Sequence, residues 1–433
     1  MSHILFLTPY YPPEVGAAQT RISETAVRLV KRGHRVTVLT TLPNYPSGVV
    51  SPEYRGGKRR RELVDGVDLV RVWSYIRPNR GFFGRILAQL SFGCLAGLLG
   101  GGAVGHPDVI IVESPPLFDT IGGRLLGALK HCPYVLTVAD IWPESAVQLG
   151  ALHNRLAIWL AERLEWSSYL RSGAVWAVTD GIRTTLVERG LSGERVFVLP
   201  NGVDVRKFTP LDKTSARAAL GWGDEYTVLY AGTIGLAHGL ATVLDAAERL
   251  RSRSEIRIVL IGDGAARSEL VTEARRRGTT NVTFLDPQPH HRMPLVISAS
   301  DACLVSLRKL PLFDGALPSK VYEAMASARP ILLAVDGEAR HLIAEQAQAA
   351  IYVEPENPTV LAAAIVALHD NPELAEELGQ HGRAFVEAHF DRDMLTSQLE
   401  EHLAAVLERT RPRKPVAGTK RSVYSAPELQ QFP

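Results

Sequence analysis

The chain has 433 residues, of which 46% are hydrophobic and 22% charged. This is too long for one ordinary core and too apolar for a disordered chain, so two globular domains are expected. The formal net charge of +2 excludes the global signature of a nucleic-acid binder.

Basic character is local, in Arg55 to Arg61 ("RGGKRRR") and in the C-terminal tail. Cys94, Cys132 and Cys303 lie far apart, which argues against a disulfide framework and against a cysteine metal site. The N-terminus has no basic n-region and too short an apolar run for a signal peptide, so the expected location is cytoplasmic.

The first apolar run, "HILFLT", leads into "PYYPPEVGAAQTR". A dinucleotide fold needs G-x-G-x-x-G and an acid about 20 residues on. Here Gly16 stands alone, and the second run, "RVTVLTT", ends without an acid. Gly16 either lets backbone approach a phosphate or makes a tight turn before a helix. After "VDLVRVW" comes Ile86 to Gly105, long enough for a membrane span. But "DVIIVES" follows at once and has to pair in the same sheet as "DLVRVW", so spanning is rejected. Two readings stand, a buried helix and a surface helix touching lipid. Phe82, Phe83 and Leu87, with Arg77, Arg80, Arg85 and the Lys58 to Arg61 run, suit an anionic leaflet. The runs "PYVLTVAD", "GAVWAVT" and "RVFVLPNG" complete the first half.

A polar stretch after Pro200 separates a second series: "YTVLYAG", "IRIVLIGDG", "VTFLD", "ACLVSL", "PILLAV" and "AAIYVE". Short apolar strands alternating with helical patterns imply parallel sheets covered on both faces. The reading is α/β, with two facing Rossmann-like, doubly wound domains and a deep cleft between them. Their expected limits are 1–205 and 206–395, followed by a terminal helix over 396–410 and a disordered basic tail over 411–433.

Chemistry concentrates at the strand exits of the second series. "YAGTIGLAHGL" carries Gly232, Gly235 and Gly239, with Thr233 and His238 between them. "IGDGAARSEL" carries Gly262 and Gly264 around Asp263, with Arg267 following. Such loops present amides to an anion or simply start helices. "LPSKVYEAMASARP" then sets Ser319, Lys320 and Glu323 at one predicted helix start. A capping box would need Ser or Thr three residues before the glutamate, where Lys320 stands. Lys320 and helix amides can neutralise a diphosphate, and Glu323 can accept both hydroxyls of a ribose. The expected ligand is a nucleoside diphosphate, with a sugar attached as an option.

The motifs "TPYYPPEVGAAQ", "ADIWPES", "VWAVTDGIRTTL", "VLPNGVD", "YAGTIG", "IGDGAARSEL" and "LPSKVYEAMASARPIL" occur in the order that resembles glycosyltransferase family 4 of the GT-B fold. Within it, "YYPPE", "DIWPES" and "LPSKVYEAM" resemble transferases of bacterial surface polysaccharides, the N-acetyl-L-fucosamine transferase type above all. The resemblance implies a nucleotide-sugar donor, UDP-linked here, with retention at the anomeric carbon and neither cofactor nor metal. It implies a glycan or polyprenyl-diphosphate-linked acceptor at the inner face of the cell membrane. Asp140 carries over as a catalytic candidate, and Lys320, which with Ser319 replaces the family's missing cation, is the other. Gly16, Thr233, His238, Gly264, Ser319, Lys320 and Glu323 are the substrate-binding candidates. Asp140 has an alternative role as a helix N-cap. The family's Arg and Lys on the diphosphate are matched by Thr233 and His238, its "HD" pair by Ala139 and Asp140. Its paired glutamates would need an acid at Gly315; Asp314 is one place off. Two other readings are a sugar-nucleotide epimerase of the same architecture and a non-catalytic, membrane-associated binding module.

Overall fold

Every apolar run named above forms a strand. The first half contributes β1 (His3–Leu7), β2 (Arg35–Thr41), β3 (Arg59–Val64), β4 (Val67–Val72), β5 (Val109–Ser114), β6 (Tyr134–Val138), β7 (Ala174–Ala177) and β8 (Val196–Val198). The second contributes β9 (Tyr226–Ala231), β10 (Ile256–Ile261), β11 (Val282–Leu285), β12 (Ala302–Ser306), β13 (Ile331–Ala334) and β14 (Ala350–Tyr352). This computed structural model describes residues 1–410 apart from 15, 45–47, 77–81 and 151. Arg77, Arg80, the side chains of Phe82, Phe83 and Arg85, and the tail 411–433 lie outside the described residues.

The first sheet has the order β3-β4-β2-β1-β5-β6-β7-β8 and the second β11-β10-β9-β12-β13-β14. All pairings are parallel except β3 with β4. That hairpin turns through Asp65 and Gly66, both left-handed at φ 51° and 81°, the geometry that Asp-Gly favours. The basic run read from sequence as a cationic patch is therefore an edge strand. Arg61 bonds Asp68 with two nitrogens, at 2.7 and 2.6 Å, and Arg60 pairs with Glu62 at 2.7 Å. This pairing removes two of the four charges from the expected leaflet contact.

Both sheets are buried on both faces, as their continuous apolar runs require. Beneath one face of the first sheet, Ile22, Ala26 and Leu29 of helix Ala17–Lys31 pack with Leu395, Leu399 and Leu403 of the terminal helix. That helix begins at Arg392 rather than 396, because the Asp391 carboxylate accepts the Asp393 amide at 2.6 Å and the Asp391 carbonyl that of Leu395. The chain thus crosses to the second domain and returns, with Val203 bridging Asp391.

On the opposite face lies helix Phe82–Leu95 and its continuation to Gly100. Phe92, Ala96 and Val104 are buried, while Leu87 and Leu98 point outward. The glycines have a packing role: a Cβ on Gly93 would lie 2.1 Å from the Phe118 carbonyl oxygen. The stretch Ile86 to Gly105 is a helical layer of the first domain, closely packed on helix Asp119–Lys130. Among the described residues, no helix is long and apolar enough to cross a membrane.

Candidate functional site

In open parallel sheets, ligands bind beyond the carboxyl ends of the strands where the strand order reverses. The second sheet reverses between β9 and β12. β9 exits into Gly232 at φ 144°, and the loop after β12 leads to helix Lys320–Ala326. The two exits converge. A Cβ on Gly232 would stand 3.2 Å from Lys320 Nζ, and the ammonium sits 3.9 Å from the centroid of the Tyr230 ring. The Tyr230 hydroxyl donates to the Thr233 carbonyl at 2.6 Å, which fixes the loop over that ring. His238 packs edge-on against the same ring, and its Nδ1 is buried without a partner.

Lys320 differs from the other cations nearby. Arg267 pairs with Asp286 at 2.8 Å, Arg308 with Glu356 at 3.4 Å and Lys309 with Glu354 at 2.6 Å. Among the described residues Lys320 has no carboxylate in ion-pair range. Burial pulls its pKa down to about 7, against a smaller raising effect of Glu323. Burial, with Lys320 alongside, likewise lowers His238 to about 3, so its imidazole is neutral at pH 7. A half-buried cation on an aromatic face, beside exposed glycine backbone, has the chemistry to seat an anion. Ser319, at the N-cap of this helix and next to Lys320 in the chain, makes no side-chain capping bond.

Glu323, one turn on, is raised to about 7 by burial, opposed chiefly by Arg392. Its Oε1 lies 3.8 Å from His290 Nδ1, and His290 Nε2 lies 3.8 Å from Glu24 Oε1 of helix Ala17–Lys31. Both gaps exceed hydrogen-bond length. Glu24 also pairs with Arg392 at 2.6 Å and Lys207 at 3.1 Å, so the carboxylate site abuts the domain crossing. His290 and Glu24 have no signature in the sequence; they meet only because the two domains face each other.

The other candidates are placed as follows. Gly16 precedes helix Ala17–Lys31 in extended backbone, with Gln19 folded against it. Gly264 has a packing role, since a Cβ there would lie 2.4 Å from the Ile234 carbonyl oxygen. Gly262 similarly abuts Gly232, so the two glycine loops interlock, with the Ile234 amide donating to Asp263 O. Asp140 lies beyond β6 in the first domain. Burial raises its pKa, opposed by hydrogen bonds from Ser145 and the Ile141 amide. The expected cap role is not formed, since Pro143 and not Asp140 is the N-cap of helix Glu144–Gln148, and no described contact joins Asp140 to Lys320.

A further contact across the cleft went unread in the sequence. Thr179 caps helix Asp180–Glu188 and donates to the Gly315 carbonyl at 2.8 Å. Glu338 accepts the Asp180 and Gly181 amides of that helix at 3.0 and 2.6 Å. A Cβ on Gly315 would stand 3.0 Å from Gly181 Cα, so an acid at 315 would crowd this contact. The "TDG" triplet after β7 and the lone Gly315 are its only sequence traces.

Two facing parallel-sheet domains with a candidate anion seat at one switch point define a GT-B glycosyltransferase fold. Residues 16–202 match the family described as "Glycosyl transferase 4-like domain", and residues 212–385 match "Glycosyl transferases group 1". Together these take in most of the chain, and both describe glycosyltransferases, the first half matching one family and the second half the other. The chain is 28% identical over 366 residues to the putative colanic acid biosynthesis glycosyl transferase WcaI of Escherichia coli K12, covering 82% of this chain and 89% of that one. The sucrose-phosphate synthase of Thermosynechococcus elongatus superimposes with a TM-score of 0.74 at 18% identity, over 94% of this chain and 100% of that one. Anabaena Alr3699/HepE in complex with UDP-glucose gives 0.70 at 17% identity, over 94% and 100%. These two likenesses bear on the fold.

Proposed function

We propose that this glycosyltransferase moves a sugar from a UDP-linked donor to a glycan or polyprenyl-diphosphate-linked acceptor in surface polysaccharide synthesis. The reaction retains configuration and needs no metal, and the sugar is an N-acetylated amino or deoxy hexose. The observation that carries this reading is the unpaired Lys320 over Tyr230, at the exit of β9 and beside Glu323. The similarity to WcaI supports a polysaccharide product, and the UDP-glucose complex of HepE supports a uridine donor.

The anomeric carbon–oxygen bond breaks with its electron pair going to the diphosphate. Negative charge therefore grows beside Lys320 as the sugar becomes oxocarbenium-like, and a cation held there acts most strongly on the transition state. The acceptor hydroxyl bonds to the same face of the anomeric carbon and gives its proton to the departing phosphate oxygen. Ser319, the Thr233 loop and neutral His238 contribute hydrogen bonds to the phosphates. Glu323 holds the ribose hydroxyls. Gly16 and Asp140 approach from the first domain, Asp140 toward a sugar hydroxyl or the acceptor. Domain closure excludes water and limits donor hydrolysis. The first domain meets the anionic inner face of the membrane, where a lipid-linked acceptor resides.

The test is a thermal-shift screen of nucleotide sugars, followed by transfer assays with and without chelator. Stabilisation by UDP-sugars and chelator-resistant transfer with retained configuration are expected. An epimerised donor without acceptor product, or binding without turnover, would overturn the assignment.

A further inference from the structure

Helix Arg155–Arg171 is built inside out. Its inward side buries Ala161, Glu165, Ser168 and Tyr169, with the Tyr169 hydroxyl donating to Glu165 at 2.7 Å. Its outward side exposes Leu156 by 65%, Trp159 by 49%, Leu160 by 54% and Leu170 by 48%. These recur at three- and four-residue spacings or their multiples, so they share one stripe. A water-facing helix orders its residues the other way round.

The charges in that stripe choose the occupant. Arg155, Arg163 and Arg171 are exposed there, and none pairs with a carboxylate among the described residues. The Arg163 guanidinium lies 5.1 Å from the centroid of the Trp159 ring, and Glu162, the one exposed acid of the helix, shares the margin of the stripe with Arg155, two turns away. A second copy of the chain meeting this face about a two-fold axis would set arginines against arginines. Trp, Leu and Arg together match the boundary of an anionic bilayer, with rings and methyls at headgroup depth and guanidinium groups at the phosphates. The helix lies on the same side of the first sheet as helix Phe82–Leu95, because Arg124 of the intervening helix Asp119–Lys130 bonds Ser167 at 3.0 Å.

We infer that the outward stripe Leu156–Trp159–Leu160–Leu170, with Arg155, Arg163 and Arg171, is the surface by which the first domain docks on anionic lipid. This rests on the membrane reading above and moves its main contact from Ile86–Gly105 to Arg155–Arg171.

The experiment is flotation of the full chain with phosphatidylglycerol-containing and purely phosphatidylcholine vesicles. The variants are Trp159→Ser with Leu160→Ser, and Leu87→Ser with Leu98→Ser. The unmodified chain is expected to float with the anionic vesicles. The first pair should weaken this by about tenfold or more, and the second by less than about twofold. Brominated anionic lipid should quench tryptophan emission in the unmodified chain, and less so in Trp159→Phe. A UDP-induced thermal shift retained in each variant shows that it folds. Anionic flotation unaffected by Trp159→Ser with Leu160→Ser would overturn this surface while leaving membrane association intact. Absence of flotation in the unmodified chain would overturn both. Loss of a concentration-dependent dimer in that variant, without a lipid effect, would assign the stripe to a second copy instead.

Discussion

The two domains share a plan and spend their exceptions differently. In the second domain the large exposed apolar side chains are Leu211, Leu236 and Val360, while the first exposes Leu63, Trp73, Leu98, Leu156, Trp159 and Leu160 among others. The second domain's departures are instead half-buried and ionic: Lys320 without a carboxylate in range among the described residues, Glu323 raised toward neutrality, and His238 with an unpartnered nitrogen. A small charged ligand explains the second set, because it supplies the missing partners within a crevice. A broad apolar surface explains the first set, since single exposed side chains are ordinary but an inside-out helix is not. On the function proposed above, similar βα architecture would serve one partner a few ångströms across and another that is a surface.

Removing the central cation should break this comparison most severely. Lys320→Ala is expected to lower kcat by about 10²–10³, as loss of one charge-stabilising donor does in other enzymes. UDP affinity should change much less. The reason is the depressed pKa: near neutral pH, binding must first put a proton on the lysine, which offsets part of the attraction in the ground state. Steady-state kinetics beside calorimetry separates the two, and an affinity loss with intact turnover at saturation would assign Lys320 to binding alone.

Glu323→Gln removes a charge-assisted acceptor worth about 1.5–3 kcal/mol. UDP should bind roughly tenfold to a hundredfold more weakly by calorimetry, with thermal stability of the free protein preserved. Equal affinity for the variant would detach Glu323 from the ribose.

Gly181→Ala sharpens the comparison at the seam between the domains. The new Cβ would lie 2.4 Å from Gly315 Cα, and overpacking of this kind costs about 1–3 kcal/mol. Transfer should fall roughly tenfold while UDP affinity holds within about twofold, because the contact belongs to closure and not to the β9/β12 crevice. Parallel loss of UDP affinity would show that the seam shapes the donor site itself.

The doubly wound sheets were readable because parallel strands buried on both faces leave continuous apolar runs, and each of them is a strand. The edge strand β3 escaped because its arginines alternate with few apolar residues, although the Asp65-Gly66 turn beside "VDLV" marked the hairpin. Lys320 and Glu323 stood out as an oddly charged helix start. Their surroundings could not be read, since Tyr230, His290 and Glu24 arrive from other elements, the last from the other domain. Gly264 was ambiguous in a specific way: glycine marks close approach without saying whether a ligand or another backbone approaches, and the Ile234 carbonyl lies close to it. The outward stripe of Arg155–Arg171 was equally hidden. Helical spacing announces an apolar face but not the side on which the core lies.

The central claim is that Lys320, held near pKa 7 in the free protein, receives the donor's diphosphate. Its most direct test is the number of protons taken up on UDP binding at pH 8, measured by calorimetry in two buffers of different ionisation enthalpy. At that pH the free lysine is mostly neutral, and a diphosphate beside it raises its pKa, so binding should draw close to one proton from solution. Affinity should accordingly decline as pH rises above about 7, and Lys320→Ala should abolish both effects. Uptake near zero in the unmodified protein, or the same uptake in Lys320→Ala, would contradict the account.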